Sequence, residues 1–236
     1  LGFSQVLEVA VGAEMVAYKE AMELKEKGFL TSSCCPAFVE YIRSKYPDMA
    51  EHISSNLSPM AELAKHVKAD YPDSVIVFIG PCIAKKAEVK QEHVKKYVDY
   101  VITFEELQAL LDSRDIILRE QKYTDWNQAS YYGRMFARSG GVAGAVAQML
   151  KELKEEDFEF NPIVCDGIDK CKTALLKASK GVLPNNFIEG MACVGGCIGG
   201  SGNPARHEDT PAQMKERIQE APTELLPNVN KHINIY

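Results

Sequence analysis

Seven cysteines are the residues of this 236-residue chain whose types and spacing could do chemistry. Cys34 and Cys35 are adjacent in Thr-Ser-Ser-Cys-Cys-Pro, and Cys193 and Cys197 are four positions apart in Cys-Val-Gly-Gly-Cys-Ile-Gly-Gly. The glycines allow the backbone to fold closely around a bulky inorganic group. Thiolate sulfur binds zinc and iron-sulfur clusters alike, so spacing does not choose between them. An odd number of cysteines without a visible secretory signal favours metal or redox chemistry over a disulfide framework.

The remaining cysteines carry signals of different strength. Cys82 follows Gly80-Pro, directly after a β-branched run, and is a candidate ligand. Cys165 and Cys171 stand alone, and a single buried cysteine is usually a small hydrophobic residue. Adjacent cysteines form only a strained disulfide ring, so at least one of the 34–35 pair is predicted to be a ligand.

Strands that alternate with helices must position these thiols. Short apolar runs predict strands at 74–79, 97–103, 161–165 and 187–191, and the spacing of apolar residues predicts helices over 13–27, after Pro36, and from about Lys170 to Lys180. Ser58 followed by Pro59 predicts the start of a further helix. The fold class is therefore α/β, in which ligand-binding groups commonly follow the carboxyl ends of parallel strands.

Composition excludes several classes of function. The net charge of -6 and the mixing of basic with acidic residues argue against a nucleic-acid surface. The sequence has no apolar run long enough to predict a membrane span. These features and the lack of a recognisable targeting segment predict a soluble, cytoplasmic protein. Residues 205–236 are polar and weakly patterned, and are interpreted as a C-terminal tail.

Three segments resemble, in order, the signature segments of the iron-only (FeFe) hydrogenase family. They are Thr31-Ser-Ser-Cys-Cys-Pro, Pro81-Cys-Ile-Ala-Lys-Lys-Ala-Glu and Met191-Ala-Cys-Val-Gly-Gly-Cys-Ile-Gly-Gly. The resemblance implies that residues 1–204 are the catalytic domain, without the N-terminal part that the domain usually has. It implies two lobes with mainly parallel sheets flanked by helices, roughly 1–90 with 185–204 and 91–184, and an iron-sulfur active site in the cleft between them.

The resemblance also implies a cofactor and the residues that bind it. The cofactor is the H-cluster, a 4Fe-4S cubane linked to a diiron unit with carbonyl, cyanide and azadithiolate ligands, which catalyses 2H⁺ + 2e⁻ ⇌ H₂. Cys197 would bridge the two parts, and Lys85 would pair with a cyanide, although Lys85 and Lys86 alone would be interpreted as a solvated pair. The cubane ligands would be Cys35, Cys82, Cys193 and Cys197, and the other cofactor-binding residues Lys85, Met191 and Ser58.

A proton route is implied by the same resemblance. Cys34 matches the family's proton-donating cysteine, and Glu20, Glu23 and Ser54 match residues of its proton relay. Glu20 and Glu23 are three positions apart on one face of a predicted helix, so a relay is geometrically possible. Without the resemblance, both acids would be interpreted as solvated residues of an amphipathic helix.

The expected partners follow from the reaction and from what the sequence lacks. No ferredoxin-like cysteine set is present, so a ferredoxin-like electron-transfer protein or subunit is implied. H₂, protons and the maturation proteins that build the diiron unit complete the partners.

Other functions stay open at this point. Cys-Cys-Pro-Ala-Phe stands where the best-known members have Gly-Trp, which indicates a divergent branch. An H₂-sensing protein and a Nar-like iron-sulfur scaffold without the diiron unit are the alternatives, and a plain zinc protein is the simplest one.

Overall fold

The described residues form a mixed helix and strand structure in which the cysteine segments lie at element ends. A computed structural model of the chain describes residues 1–122, 128–155, 157–204, 219 and 221–232. The strands are β1 (Leu30–Thr31), β2 (Val77–Gly80), β3 (Tyr100–Thr103), β4 (Pro162–Asp166) and β5 (Phe187–Met191). The helices are α1 (Val9–Lys27), α2 (Pro36–Lys45), α3 (Pro59–Asp70), α4 (Lys85–Glu88), α5 (Phe104–Asp112), α6 (Tyr131–Met135), α7 (Gly141–Glu152), α8 (Ile168–Ser179) and α9 (Leu226–His232).

Local sequence signals account for several helix ends. α1 ends at Gly28, which adopts a left-handed conformation with φ of 75° and donates its N–H to the carbonyl of Leu24. Ser58 caps α3 by accepting from the N–H of Ala61, as its position before Pro59 predicts. Thr103 begins α5 with a capping box. The prediction that a helix follows Pro36 is also confirmed, since α2 begins there.

Two parallel sheets form the centre of the fold. One has the strand order β1-β5-β4, and the other consists of β2 and β3. This pairing differs from the lobe boundaries predicted from the sequence, which separate β2 from β3 and β4 from β5. The four predicted strands lie where the sequence places them. The sequence of a parallel strand does not fix which other strand it pairs with, because that choice depends on how the connecting helices pack.

α1 is the central helix of the described fold. It packs against α3, α6, α7 and α9, and its apolar side chains Met15, Val16, Ala17, Ala21 and Leu24 are fully buried. Gly12 permits the contact with α3, because a Cβ at this position would overlap the carbonyl oxygen of Pro59. Burial also includes three acids of the helix, Glu14, Glu20 and Glu23. The interpretation of Glu20 and Glu23 as solvated acids is therefore wrong.

Part of the predicted C-terminal tail belongs to the core. Leu225 and Val229 are buried in the same apolar cluster as α1 and α7. The carboxylate of Glu152 accepts from the N–H groups of Leu225 and Leu226, which holds the start of α9. In the part of the chain that the structure describes, no helix is long and apolar enough to cross a membrane.

Candidate metal centre

The three cysteine segments meet beside the ends of three strands. Cys34 and Cys35 follow β1, and Cys35 is the residue before α2. Cys193 and Cys197 follow β5, which is parallel to β1 with Thr31 opposite Ile188. Because parallel strands end at the same edge of a sheet, the two segments are brought together there. Cys82 comes from the end of β2 in the second sheet.

Electrostatic interactions join four of the thiols. Cys197 interacts with Cys35, Cys82 and Cys193, and burial raises the pKa of Cys197 to about 12. Burial likewise raises the pKa of Cys193, with further contributions from Cys35 and Cys82. The pKa of Cys82 is raised by burial as well, against an opposing effect of Lys85. Without a metal Cys82, Cys193 and Cys197 are neutral thiols, and a bound cation is what would stabilise them as thiolates.

The donor set fits an iron-sulfur cluster. All four donors are soft sulfur, the ligand type of such clusters. Among the described residues, no three His, Cys, Asp or Glu side chains are arranged to hold a single metal ion. That finding concerns one ion, whereas a 4Fe-4S cubane takes one cysteine at each of its four iron atoms.

Glycines shape the segment that carries two of these cysteines. Gly195 and Gly196 have φ values of 82° and 80°, a conformation that other residues rarely adopt. The carboxylate of Asp166 accepts the N–H of Gly195 at 2.6 Å, and so fastens the segment to the end of β4. The glycine-rich pattern is therefore needed by the backbone between Cys193 and Cys197.

Lys85 connects two of the three segments. Its ammonium group donates to the carbonyl oxygen of Cys34 at 3.0 Å and to Glu88 Oε2 at 2.6 Å. Burial lowers the pKa of Lys85, but the charge and hydrogen bond of Glu88 outweigh burial and raise it, with smaller contributions from Cys34 and Cys82. Lys85 is thus a buried cation next to the thiols, as the predicted binding of an anionic ligand requires.

Cys34 lies deeper than the half-exposed Cys82 and Cys193. It is buried in one apolar cluster with Met191, and Cys197 packs against that cluster. Burial raises the pKa of Cys34 well above its ordinary value, and Glu20 adds to the rise. The Cys34 thiol therefore holds its proton at neutral pH.

A line of polar groups runs from Cys34 toward the surface. Burial raises the pKa of Glu20 to about 8, although the N–H of Ser33 donates to its Oε1 and opposes the rise. The hydroxyl of Ser54 donates to Glu23 Oε2 at 2.8 Å. Glu20 Oε2 is buried without a hydrogen-bond partner, although Ser54 is close enough to lower the pKa of Glu20.

Glu23 forms the outer end of this line. Burial opposes its ionisation, but hydrogen bonds from Lys27, Ser55 and Ser54 outweigh burial and lower its pKa. Lys27, which is exposed, donates to Glu23 Oε1 at 2.7 Å. Glu20 is therefore a neutral acid and Glu23 a carboxylate at neutral pH.

Three residues of the site were missed from the sequence. Lys27 lies four positions after Glu23, and Glu88 lies three positions after Lys85. On a helix either spacing places the two side chains on the same face, so the sequence could have indicated both pairs. Asn56 donates to Glu23 Oε2 at 2.8 Å, and no local pattern indicates this contact.

The structure places the last three candidates as follows. Ser58 is buried and caps α3, and its predicted role in cofactor binding stays a prediction. Cys165 and Cys171 are buried, as expected for small hydrophobic residues. They are neighbours, since Cys171 Sγ lies 3.8 Å from the backbone carbonyl oxygen of Cys165, and the interaction between the two thiols lowers the pKa of Cys165 and raises that of Cys171.

Comparison with known proteins identifies the family. The family described as "Iron only hydrogenase large subunit, C-terminal domain" matches residues 1–201. The chain belongs to this family. The structure of FeFe-hydrogenase HydA1 from Chlamydomonas reinhardtii matches the whole chain and 80% of its own length with a TM-score of 0.76, at 21% identity. The predicted α/β fold of an FeFe hydrogenase domain is therefore confirmed.

The curated relatives of this hydrogenase-family chain include both hydrogenases and iron-sulfur cluster assembly factors. Iron hydrogenase 1 of Clostridium pasteurianum is 28% identical over 99% of the chain and 49% of its own length. Cytosolic Fe-S cluster assembly factor NAR1 of Kluyveromyces lactis is also 28% identical, over 69% of the chain and 37% of its own length. The chain spans 37% to 60% of the length of the curated relatives that it matches at this identity.

Proposed function

We propose that this chain is the catalytic domain of an FeFe hydrogenase, which interconverts protons, electrons and H₂ at an H-cluster. The observation that carries the proposal is the line of Glu23, Ser54 and Glu20 that leads to the Cys34 thiol beside the gathered cysteines. A protein that only stores or transfers an iron-sulfur cluster has no need for a buried proton route that ends at a thiol which is not a ligand.

The residues of the site have distinct tasks in this proposal. Cys35, Cys82, Cys193 and Cys197 would hold the cubane, and Cys197 would be the ligand shared with the diiron unit. Lys85 supplies the buried positive charge for a cyanide ligand, because an anion in an apolar pocket needs a charged partner. Met191, buried in one cluster with Cys34, would line the pocket for the diiron unit. When bound, the H-cluster supplies the iron at which two protons and two electrons combine.

Cys34 delivers and accepts the proton in this scheme. Its thiol is protonated at neutral pH and takes a replacement proton from Glu20, which is also neutral there. Glu20 is replenished through the Ser54 hydroxyl from Glu23, which exchanges protons with solvent near Lys27. One link is open in the structure, since Glu20 Oε2 has no hydrogen-bond partner. A small rotation of Glu20 toward Ser54, or one bridging water, completes it.

Electrons enter at the exposed side of the cysteine group. Cys82, Cys193 and Cys197 are partly exposed, whereas Cys35 is buried. Val194, next to Cys193, is 65% exposed and offers an apolar contact at this side. A ferredoxin-like protein or subunit that docks there brings its own cluster near the cubane, while maturation proteins supply the diiron unit.

A Nar-like assembly function is the second candidate. It is favoured by one observation, the equal 28% identity to the hydrogenase and the NAR1 assembly factor. Cys34, Lys85 and the relay acids have no task in that function, which needs only the cubane ligands.

Infrared spectroscopy of anaerobically matured protein separates the two candidates. Sharp carbonyl and cyanide bands, with H₂ production from an artificial electron donor, are expected for the hydrogenase. Cys34→Ser should keep these bands and lose nearly all turnover, whereas Cys35→Ser should lose cubane iron. Fully matured protein that contains iron but gives no such bands would overturn the hydrogenase proposal and favour the assembly function.

A further inference from the structure

Glu189 is a fully buried acid on β5, the middle strand of the three-stranded sheet. Its Oε1 accepts the N–H of Gly140 at 2.6 Å, and its Oε2 accepts the N–H of Ala143 at 2.7 Å. Because both oxygens accept, these contacts suit an ionised carboxylate. Burial of such a charge is unfavourable without hydrogen bonds, and Glu189 is neither a proposed cubane ligand nor part of the proposed proton relay.

The two contacts fasten the start of α7. Gly140 precedes this helix with φ of 85° and has no side chain that could cap it. The carboxylate of Glu189 therefore takes, from a separate strand, the part that an N-cap side chain usually plays. A negative charge at this end of a helix is also favoured by the helix dipole. Burial raises the pKa of Glu189, and the N–H groups of Ala143, Gly140 and Val142 oppose the rise.

The residues just before α7 pair with the loop between Cys193 and Cys197. Arg138 and Gly196 form an antiparallel bridge, and the N–H of Ser139 donates to the carbonyl of the preceding glycine of the loop at 3.4 Å. The two backbones are close, because a Cβ at Gly196 would lie 2.6 Å from the nitrogen of Ser139. A movement of this segment therefore moves the backbone that carries the two cysteines.

We propose that Glu189 is a positioning residue for the iron-sulfur cluster: it fixes residues 137–140 and, through them, the loop that carries Cys193 and Cys197. This role rests on the proposed cubane site. It applies to a hydrogenase and to an assembly factor alike, because both need the two thiols in fixed positions. Without the carboxylate, the N–H groups of Gly140 and Ala143 are left without their acceptor, and the segment is free to shift away from the loop.

Iron release from the cubane-loaded protein tests this role. Glu189→Gln replaces one acceptor oxygen with an amide NH₂ group, so one of the two hydrogen bonds is lost. Contacts that support metal ligands change metal affinity by about 10- to 100-fold, and we expect iron loss to a ferrous chelator to be about 10-fold faster in the variant. The electron paramagnetic resonance spectrum of the reduced cubane should change too, which a residue needed only for folding would not cause in a folded variant.

Glu152→Gln is the matched control. Its carboxylate also accepts N–H groups at the start of a helix, but at α9, from the opposite end of α7. This variant should release iron at the wild-type rate. Wild-type release and an unchanged spectrum in folded Glu189→Gln would overturn the assigned role. Wild-type protein that binds no iron would instead overturn the cubane site itself, so the two failures are distinguishable.

Hydrogen exchange in the wild type tests the same coupling without a variant. If an ordered segment 137–140 favours cluster binding, the bound cluster must stabilise that segment by the same free energy. The amides of residues 137–143 should therefore exchange more slowly with the cubane bound than without it, whereas those of 226–229 in α9 should exchange equally in both forms. Equal exchange of 137–143 in the two forms would contradict the coupling, and this comparison is decisive if Glu189→Gln fails to fold.

Discussion

The ammonium group of Lys85 donates a hydrogen bond to the backbone carbonyl of Cys34, over 3.0 Å and across 51 positions of the sequence. This bond joins the segment after β2 to the segment after β1. Glu88 holds the same ammonium group from the other side, at 2.6 Å. The two contacts place a buried positive charge against the thiols before any cofactor is bound.

Glu88→Gln should destabilise the protein strongly. The side chains of Lys85 and Glu88 are only 8% and 9% exposed, and removing one charge leaves the other buried without its partner. Breaking such a pair costs about 3–5 kcal/mol. Urea denaturation measures the change in free energy of unfolding. Glu92→Gln, in the surface pair with Lys95, is the matched control and should have almost no effect.

Ser54→Ala should slow turnover by about 10²-fold, because the hydroxyl that passes a proton between Glu20 and Glu23 is lost. Asn56→Ala is the matched control. Its amide donates to the same Glu23 Oε2 at the same 2.8 Å, but an amide cannot relay a proton. H₂ production from a chemical electron donor distinguishes the two variants. Similar loss in both would mean that the contacts position Glu23 and do not conduct protons.

Glu20→Gln should change how stability depends on pH. The native state keeps a proton on Glu20 up to its pKa of about 8, whereas the unfolded chain releases it near 4.5. The free energy of unfolding of the wild type therefore falls as pH rises between these values, by about 1.4 kcal/mol per unit for this one proton. Glutamine carries no such proton, so the variant gains stability relative to the wild type from pH 5 to pH 8.

Denaturation curves across this range measure the effect. Glu26→Gln, at an exposed position of the same helix, should follow the wild-type curve. The other buried acids are present in every variant and cancel in the comparison. Parallel curves for Glu20→Gln and the wild type would show that Glu20 is ionised in the native state.

Leu225→Ala should destabilise the domain by about 2–5 kcal/mol, because a fully buried side chain is replaced by a cavity between α9 and α1. Glu224→Ala, at the exposed neighbouring position, is the control. Thermal or urea denaturation gives the difference. An effect as small as that of the control would place the C-terminal segment outside the cooperative unit.

Much of the local structure could be predicted from the sequence. Gly28, Ser58 and the run at 187–191 predict helix ends and a strand that the structure confirms, because each depends on neighbours only a few residues away. The cysteine motifs identified the family for a similar reason, since the cysteine ligands and the glycine-rich turns beside them are features of short stretches of sequence. Strand partners were not predictable, and β2 pairs with β3 across a predicted lobe boundary.

The sequence by itself determined where most helices and strands lie and which family the chain belongs to, and it predicted the four cysteines that are proposed as metal ligands. The tertiary structure alone decided that Glu20 and Glu23 are buried, that Asn56 contacts Glu23, that Cys171 lies beside the backbone of Cys165, and that residues 221–232 contribute to the core. Each of these depends on contacts between residues distant along the chain or on the exclusion of water by neighbouring elements. Such desolvation shifts a pKa by several units, and no local pattern of residues encodes it.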